Sequence, residues 1–252
     1  MKEIEIIHLS GLEALMEEVV PIMGHRRIPV YRGMADSESS LVPALLRMAI
    51  RETEFSDWNG LEASLMEKFK VRSGGELGFE PASELEWQVL ASHLGLPTRF
   101  TAWSENPLVA LWFATASTPE PSSGSLWRLL PGDSKLVATQ DYQVDPESYR
   151  LYFPRHTNPE ILAQRCCFMS HPIPKLDTGA ISFEESYQTM SSEDYSMHLA
   201  RMTIDPSDKA TIRARLSRLG IDERSLFPGL RGLAKQLATE AYHHTGSYDW
   251  AF

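Results

Sequence analysis

Residues 93–116, HLGLPTRFTAWSENPLVALWFATA, constrain the fold more than any other stretch, because they must end one helix and begin another with rigid turns between them. Gly95 and Pro97 break whatever precedes them, and Pro107 is a good first helical residue with Asn106 before it as a cap. Between the two lie Thr98, Arg99, Trp103 and Ser104. A loop so dense in hydrogen-bonding side chains, set between two apolar helices, reads as a binding site. Upstream, Ser83 and Glu86 fit a capping box, so SELEWQVLASHL reads as a helix that turns Trp87, Leu90 and Leu94 inward and closes at Gly95. His93 then falls on its last turn, facing the loop. Downstream, Leu108, Leu111, Trp112 and Thr115 recur at helical spacing and mark a core helix.

The remaining pattern places this segment in an α+β fold. Ile4 to Leu9 is strand-like, a helix follows near 11–23, and RRIPVYRG is extended, which sets Arg32 where a strand meets a turn. Helical regions are read at 40–51 and 60–72. From 125 to 185, short apolar runs (SLWRLL, KLVAT, RLYFP, CCFMSHPI, AISF) alternate with turn residues as a mostly antiparallel sheet would. STPEPSSG at 117–124 reads as a surface loop. The last fifth returns to helix: Asp205 and Pro206 start one that Gly220 ends, and another runs through LRGLAKQLATEAYHH. Helices first, strands in the middle and helices last argue for a single domain with a central, mostly antiparallel sheet flanked by N-terminal and C-terminal helices. At 252 residues and 42% hydrophobic composition, the chain can bury one full core, and no convincing linker divides it.

Composition also narrows the function. A net charge of −10 disfavours a protein that works by neutralising phosphate backbones. Arg213, Arg215 and Arg218 surround Ile212, Leu216 and Leu219 as the wet side of an amphipathic helix. No apolar run approaches the roughly 20 residues of a bilayer span, and the acidic start MKEIEIIHLSGLEALMEE does not resemble a signal peptide, so a cytoplasmic location and no membrane partner are expected. Cys166 and Cys167 are adjacent, which strains a mutual bridge and supplies too few thiolates for zinc. The histidines are dispersed apart from His243 and His244, and no metal is expected. Neither a Rossmann nor a P-loop fingerprint is present, nor a G-x-S-x-G elbow. Cys167 with His171 is a conceivable nucleophile and base, but Cys166 and Phe168 beside it argue for a buried, inert thiol.

Several motifs together resemble the FRG domain family, named for an aromatic-Arg-Gly motif that here is Tyr31, Arg32 and Gly33. The similarity continues through LVPALLR at 41–47, HLGLPTRFTAWSENPLVALWFA at 93–114, YFPRHTNPEILAQRCCFMSHP at 152–172 and LGIDERSLFPGLRGLAKQL at 219–237. It implies an FRG-like domain over 28–240, an N-terminal strand and helix extension over 1–27 and a C-terminal tail over 241–252. Through a remote likeness to ADP-ribosyltransferase-type folds it implies a nucleotide-binding pocket, with NAD as cofactor for ADP-ribosyl transfer or glycohydrolysis in a bacterial defence or toxin context. A protein or nucleic acid could then be the acceptor. The alternatives are a non-catalytic module that senses a ligand or a protein, and an RNA-directed toxin.

Carried onto this chain, the resemblance makes Arg32 a phosphate or ribose clamp, His93 a polarising group, and Gln164 the residue that steers an acceptor. Tyr31, Gly33, Thr98, Arg99, Trp103, Ser104 and Asn106 would line the pocket. Each has a plainer alternative: Arg32 could tie loops together through carbonyls, Tyr31 could be core, His93 and Asn106 could cap their helices, and Gln164 could satisfy buried backbone. Gln164 cannot be a general base. Where relatives carry aspartate after the Thr-Arg pair, this chain has Ala102. If that aspartate balances Arg99 or Arg32, the charge here falls to ligand phosphate or to a carboxylate such as Glu105. Glu160 and Cys166 also depart from the family pattern. Glu160 could be a new acid for the site or a solvated loop glutamate.

Overall fold

A computed structural model describes residues 5–22, 28–49, 55, 57–118, 120–131, 147–155, 158–173 and 198–245. In chain order the strands are β1 (Glu5–His8), β2 (Val30–Met34), β3 (Phe100–Ser104), β4 (Gly124–Leu130), β5 (Arg150–Tyr152), β6 (Cys166–Ser170) and β7 (His198–Ile204). The helices are α1 (Leu12–Val19), α2 (Trp58–Ser73), α3 (Glu84–His93), α4 (Pro107–Ala114), α5 (Pro159–Ala163), α6 (Pro206–Arg218), α7 (Glu223–Leu226) and α8 (Leu230–Thr245), with 3-10 turns at Val20–Ile22 and Leu45–Arg47. The seven strands form one sheet in the order β1-β7-β4-β2-β3-β6-β5. Every pairing is antiparallel except that of β1 with β7. The α+β class with a mostly antiparallel sheet is therefore what the chain adopts.

Side chains alternate across a strand, and two unlike faces follow. One face carries Tyr31, Leu126, Met202 and Ile204 against Leu15 of α1, Val109 and Leu111 of α4, and Ile212 and Leu216 of α6. Farther along that face, Phe100 and Phe168 meet Leu85 and Val89 of α3 and Ile161 of α5. The other face carries Val30, Trp103, Trp127, Leu129, Leu151, Cys167 and Met169.

Gly33 and Gly124 let α4 lie directly on the sheet. A Cβ at Gly33 would stand 1.7 Å from the Ala110 carbonyl oxygen, and one at Gly124 2.2 Å from that of Ala114. The Gly33 of the aromatic-Arg-Gly motif is thus a seat for a helix backbone, and no larger residue fits.

Several local signals hold. Ser83 Oγ accepts from Glu86 N–H, Asn106 Oδ1 accepts from Leu108 N–H, and Gly95 and Gly220 take positive φ at 92° and 81° to end α3 and α6. Others differ. The Glu86 carboxylate accepts from Ala82 N–H instead of closing a box on Ser83. Leu94 lies 59% exposed, because the chain leaves the helix at that position and never turns it inward. The region read as helix at 40–51 is held as a short 3-10 turn at Leu45–Arg47. The apolar runs KLVAT and AISF lie outside the described residues. The largest difference concerns the loop at 95–106: residues 100–104 form β3, a strand in the middle of the sheet.

A candidate anion-binding centre on the second face of the sheet

Because β3 is a central strand, the polar residues of 98–106 are divided between two faces and their neighbourhoods. Thr98 is buried and its Oγ1 accepts from Phe100 N–H, which tightens the entry to β3. Arg99 is 6% exposed and meets Glu62 of α2, itself 2% exposed. Arg99 donates from Nε to Glu62 Oε2 (2.6 Å) and from its backbone N–H to Glu62 Oε1 (2.7 Å), with a further bond from Nη2 to Asn59 Oδ1. Glu62, and not Glu105 or a ligand, balances Arg99. Ser104 Oγ donates to the Gln164 carbonyl and accepts from Asn106 N–H, so Ser104 and Asn106 shape the turn into α4.

Gln164 ends α5 and is buried. Its Nε2 donates to the Leu226 carbonyl at 3.0 Å, and its Oε1 faces the Cys166 thiol at 3.6 Å, which ties the α5–β6 turn to α7. Ser104 pairs with Tyr31 across β2–β3, on the helix-covered face. Gln164 therefore sits on the opposite side of the sheet from Arg32. His93 ends α3 with Nε2 3.5 Å from Glu160 Oε2 and its ring edge-on to Phe168. Burial lowers its pKa and the Glu160 carboxylate works against that. His93 and Glu160 thus pair with each other and do not approach Arg32. Tyr31 is core, its phenol pushed up to about 12 by burial.

The face opposite α4 keeps Arg32 and Trp103 together and adds residues the sequence did not single out. Register pairs Arg32 with Trp127 on β4, and Trp127 with Arg201 on β7. Antiparallel pairing carries Arg32 opposite Trp103, which pairs with Cys167. A cross-strand row therefore reads Arg201, Trp127, Arg32, Trp103, Cys167. The Arg201 guanidinium lies 5.5 Å from the centre of the Trp127 ring. Two residues along β3, Thr101 Oγ1 stands 2.9 Å from Trp103 Nε1 and 3.0 Å from His171 Nε2. An indole N–H only donates, so the Thr101 hydroxyl accepts from Trp103 and links it to His171 Nε2.

Electrostatics at this centre are one-sided. Arg32 donates from Nη1 to the Ala102 carbonyl, so the arginine does bind a carbonyl, that of the position where the resemblance leads one to expect an aspartate. No carboxylate pairs with Arg32 among the described residues. Burial lowers its pKa to about 10, with the Arg47 cation adding to the effect. His171, 1% exposed, is driven down to about 3 by burial and by Arg32. It is neutral at physiological pH and a poor proton acceptor. Three solvent-sealed nitrogens lack a partner here: Arg32 Nε, Arg201 Nε and His171 Nδ1. The two arginine Nε groups are N–H donors left without an acceptor at a centre whose charges are cationic.

Cys167 is fully buried, and burial raises its thiol well above the ordinary range; the Cys166 thiol is pushed up to about 12 for the same reason. Neither is a thiolate nucleophile. His8, Asp205 and Asp208 cluster at an exposed corner without further support for a metal. Among the described residues no helix is long and apolar enough to cross a membrane.

Thr101 shares the parity of Trp103 and was legible on that ground once β3 was known to be a strand. Trp127 and Arg201 were not, since their relation to Arg32 depends on which strands become neighbours. Compared with known proteins, residues 27–123 match the family model of the FRG domain. No curated protein and no solved structure matches the chain. The matched segment holds Arg32, Arg47, Thr101 and Trp103, whereas Trp127, Gln164, His171 and Arg201 lie beyond its end.

Proposed function

The chain carries an FRG domain, and from that premise we propose that it binds a phosphate-bearing nucleotide at the Arg32 centre. Arg32 and Arg201 supply donors to phosphate oxygens, Arg47 adds a cation at the rim, and the indoles of Trp103 and Trp127 flank the row. The observation that carries this reading is the partly buried Arg32 guanidinium, which among the described residues has no carboxylate partner and keeps one sealed, unbonded N–H. A buried unpaired charge costs several kcal/mol to keep, and a phosphate oxygen would remove that cost with a charge-assisted bond. NAD is the first nucleotide to test, with ADP-ribosyl transfer or glycohydrolysis as the reaction.

Recognition without turnover is the second reading, and one observation favours it. His171 is neutral and weakly basic, while Gln164 and the His93–Glu160 pair stand away from Arg32, so none of these residues serves as a base at the anion centre. A defence role could rest on either reading.

Calorimetric titration with NAD, ADP and inorganic pyrophosphate, followed by chromatography for released nicotinamide, separates them. Binding that vanishes in Arg32→Met, with NAD intact, supports recognition. Nicotinamide release that depends on Arg32 supports transfer or hydrolysis. No heat with any of the three ligands refutes both.

A further inference from the structure

A cleft lies between α2 and α3. Asn59, Glu62, Ala63, Met66, Glu67 and Lys70 follow one another at helical spacing down a single stripe of α2, which is why one side of that helix can face a cleft. Glu84 and Gln88, one turn apart on α3, face them, and Arg99 closes the floor. The cleft encloses about 330 Å³, at the lower end of the size of small-molecule sites. None of its lining residues belongs to the Arg32 centre.

Two atoms at its floor are sealed from solvent and lack partners. They are Arg99 Nη1, a donor, and Gln88 Oε1, an acceptor, on residues that are 6% and 9% exposed. Glu62 and Asn59 occupy the other edges of the guanidinium, which leaves Nη1 as its unbonded edge. Glu62 also neutralises Arg99, and Glu67 and Glu84 stand at the walls, so three carboxylates oppose the two cations Arg99 and Lys70. An anion is therefore disfavoured here, in contrast to the Arg32 centre. A cation cannot accept from Nη1. A neutral molecule that carries both an acceptor and a donor would satisfy both atoms, and Ala63 and Met66 offer apolar wall to its ring.

We propose that the α2–α3 cleft is a binding site for a neutral cyclic amide, whose carbonyl accepts from Arg99 Nη1 and whose N–H donates to Gln88 Oε1. This site is independent of nucleotide binding at Arg32.

Saturation-transfer NMR with δ-valerolactam as probe tests it on the full chain. The lactam should bind, and cyclohexanone, the same ring without an N–H, should bind about fivefold more weakly, the worth of one hydrogen bond. Gln88→Met should weaken the lactam by a similar factor, Ala63→Phe should block the cleft, and Arg32→Met should change nothing. Ala63 is exposed on α2, so its substitution leaves the fold intact and keeps the test decisive if Gln88→Met unfolds. The proposal is overturned by cyclohexanone binding as well as the lactam, by retained binding in Ala63→Phe, or by no lactam binding up to about 50 mM, the weak limit for so small a ligand.

Discussion

Arg32 and Arg99 are both removed from water, and their surroundings assign them opposite consequences. Arg99 is matched by Glu62 through two bonds, so removing the acid strands a buried cation. Glu62→Gln should lower stability by about 3–5 kcal/mol in urea unfolding. Among the described residues Arg32 has no such partner. Arg32→Met should instead raise the melting temperature of the ligand-free protein by about 2–4 °C, the equivalent of about 1 kcal/mol at this size, while ending nucleotide binding. A melting temperature that falls would show that the guanidinium is structurally required. His171 adds a pH dependence with a definite sign. Its folded pKa, about 3, lies below the ordinary histidine value near 6.5. The unfolded chain therefore binds the proton more readily, and this histidine's contribution is present above pH 6.5 and lost as pH falls toward 3. In His171→Gln, the decline of melting temperature across that window should be shallower than in the wild type.

At the scale of the element, local chemistry was readable wherever a residue answers to its own neighbours. Ser83, Gly95, Asn106 with Pro107, and Gly220 mark helix ends because caps and left-handed turns depend on a few adjacent positions. The strand β3 was not readable as such. Phe100 to Ser104 is only five residues long and stands between two helices with strong punctuation, so its turn signals outweighed its alternation. Burial explains the rest: Thr98 and Ser104 are polar because they bind backbone groups at the two ends of a sheet-centre strand. Gly33 shows the same confusion of roles, since a motif glycine beside an arginine suggests a ligand, and what approaches it is α4. Gly33→Ala should push α4 off the sheet and cost about 3 kcal/mol or more, read as a lower denaturation midpoint. Wild-type stability in that variant would mean α4 can shift away without loss.

The candidate site itself becomes visible only for the whole molecule. Of the six strand pairings, β2–β3 and β5–β6 alone join strands consecutive in the chain. Arg32, Trp127 and Arg201 come from β2, β4 and β7, and no spacing in the sequence announces that these strands lie side by side. The sequence did carry Arg32 and Trp103, and the absence of an acid at Ala102, so it held half of the centre without its geometry. The molecule as a whole is acidic, at −10, yet this face gathers Arg32, Arg47 and Arg201. That contrast separates a compact anion from a polymer of phosphates. A basic surface suited to RNA grips many phosphates and loses affinity steeply with salt, at a log–log slope of about −0.7 for each phosphate held by a single strand. Three arginines on an otherwise repulsive body can release few counter-ions. Binding of ADP should therefore weaken with a slope between about −1 and −3 from 50 to 200 mM salt, and single-stranded RNA should bind no more tightly than ADP. An RNA slope steeper than about −4, with affinity above that for ADP, would assign the arginine row to nucleic acid instead.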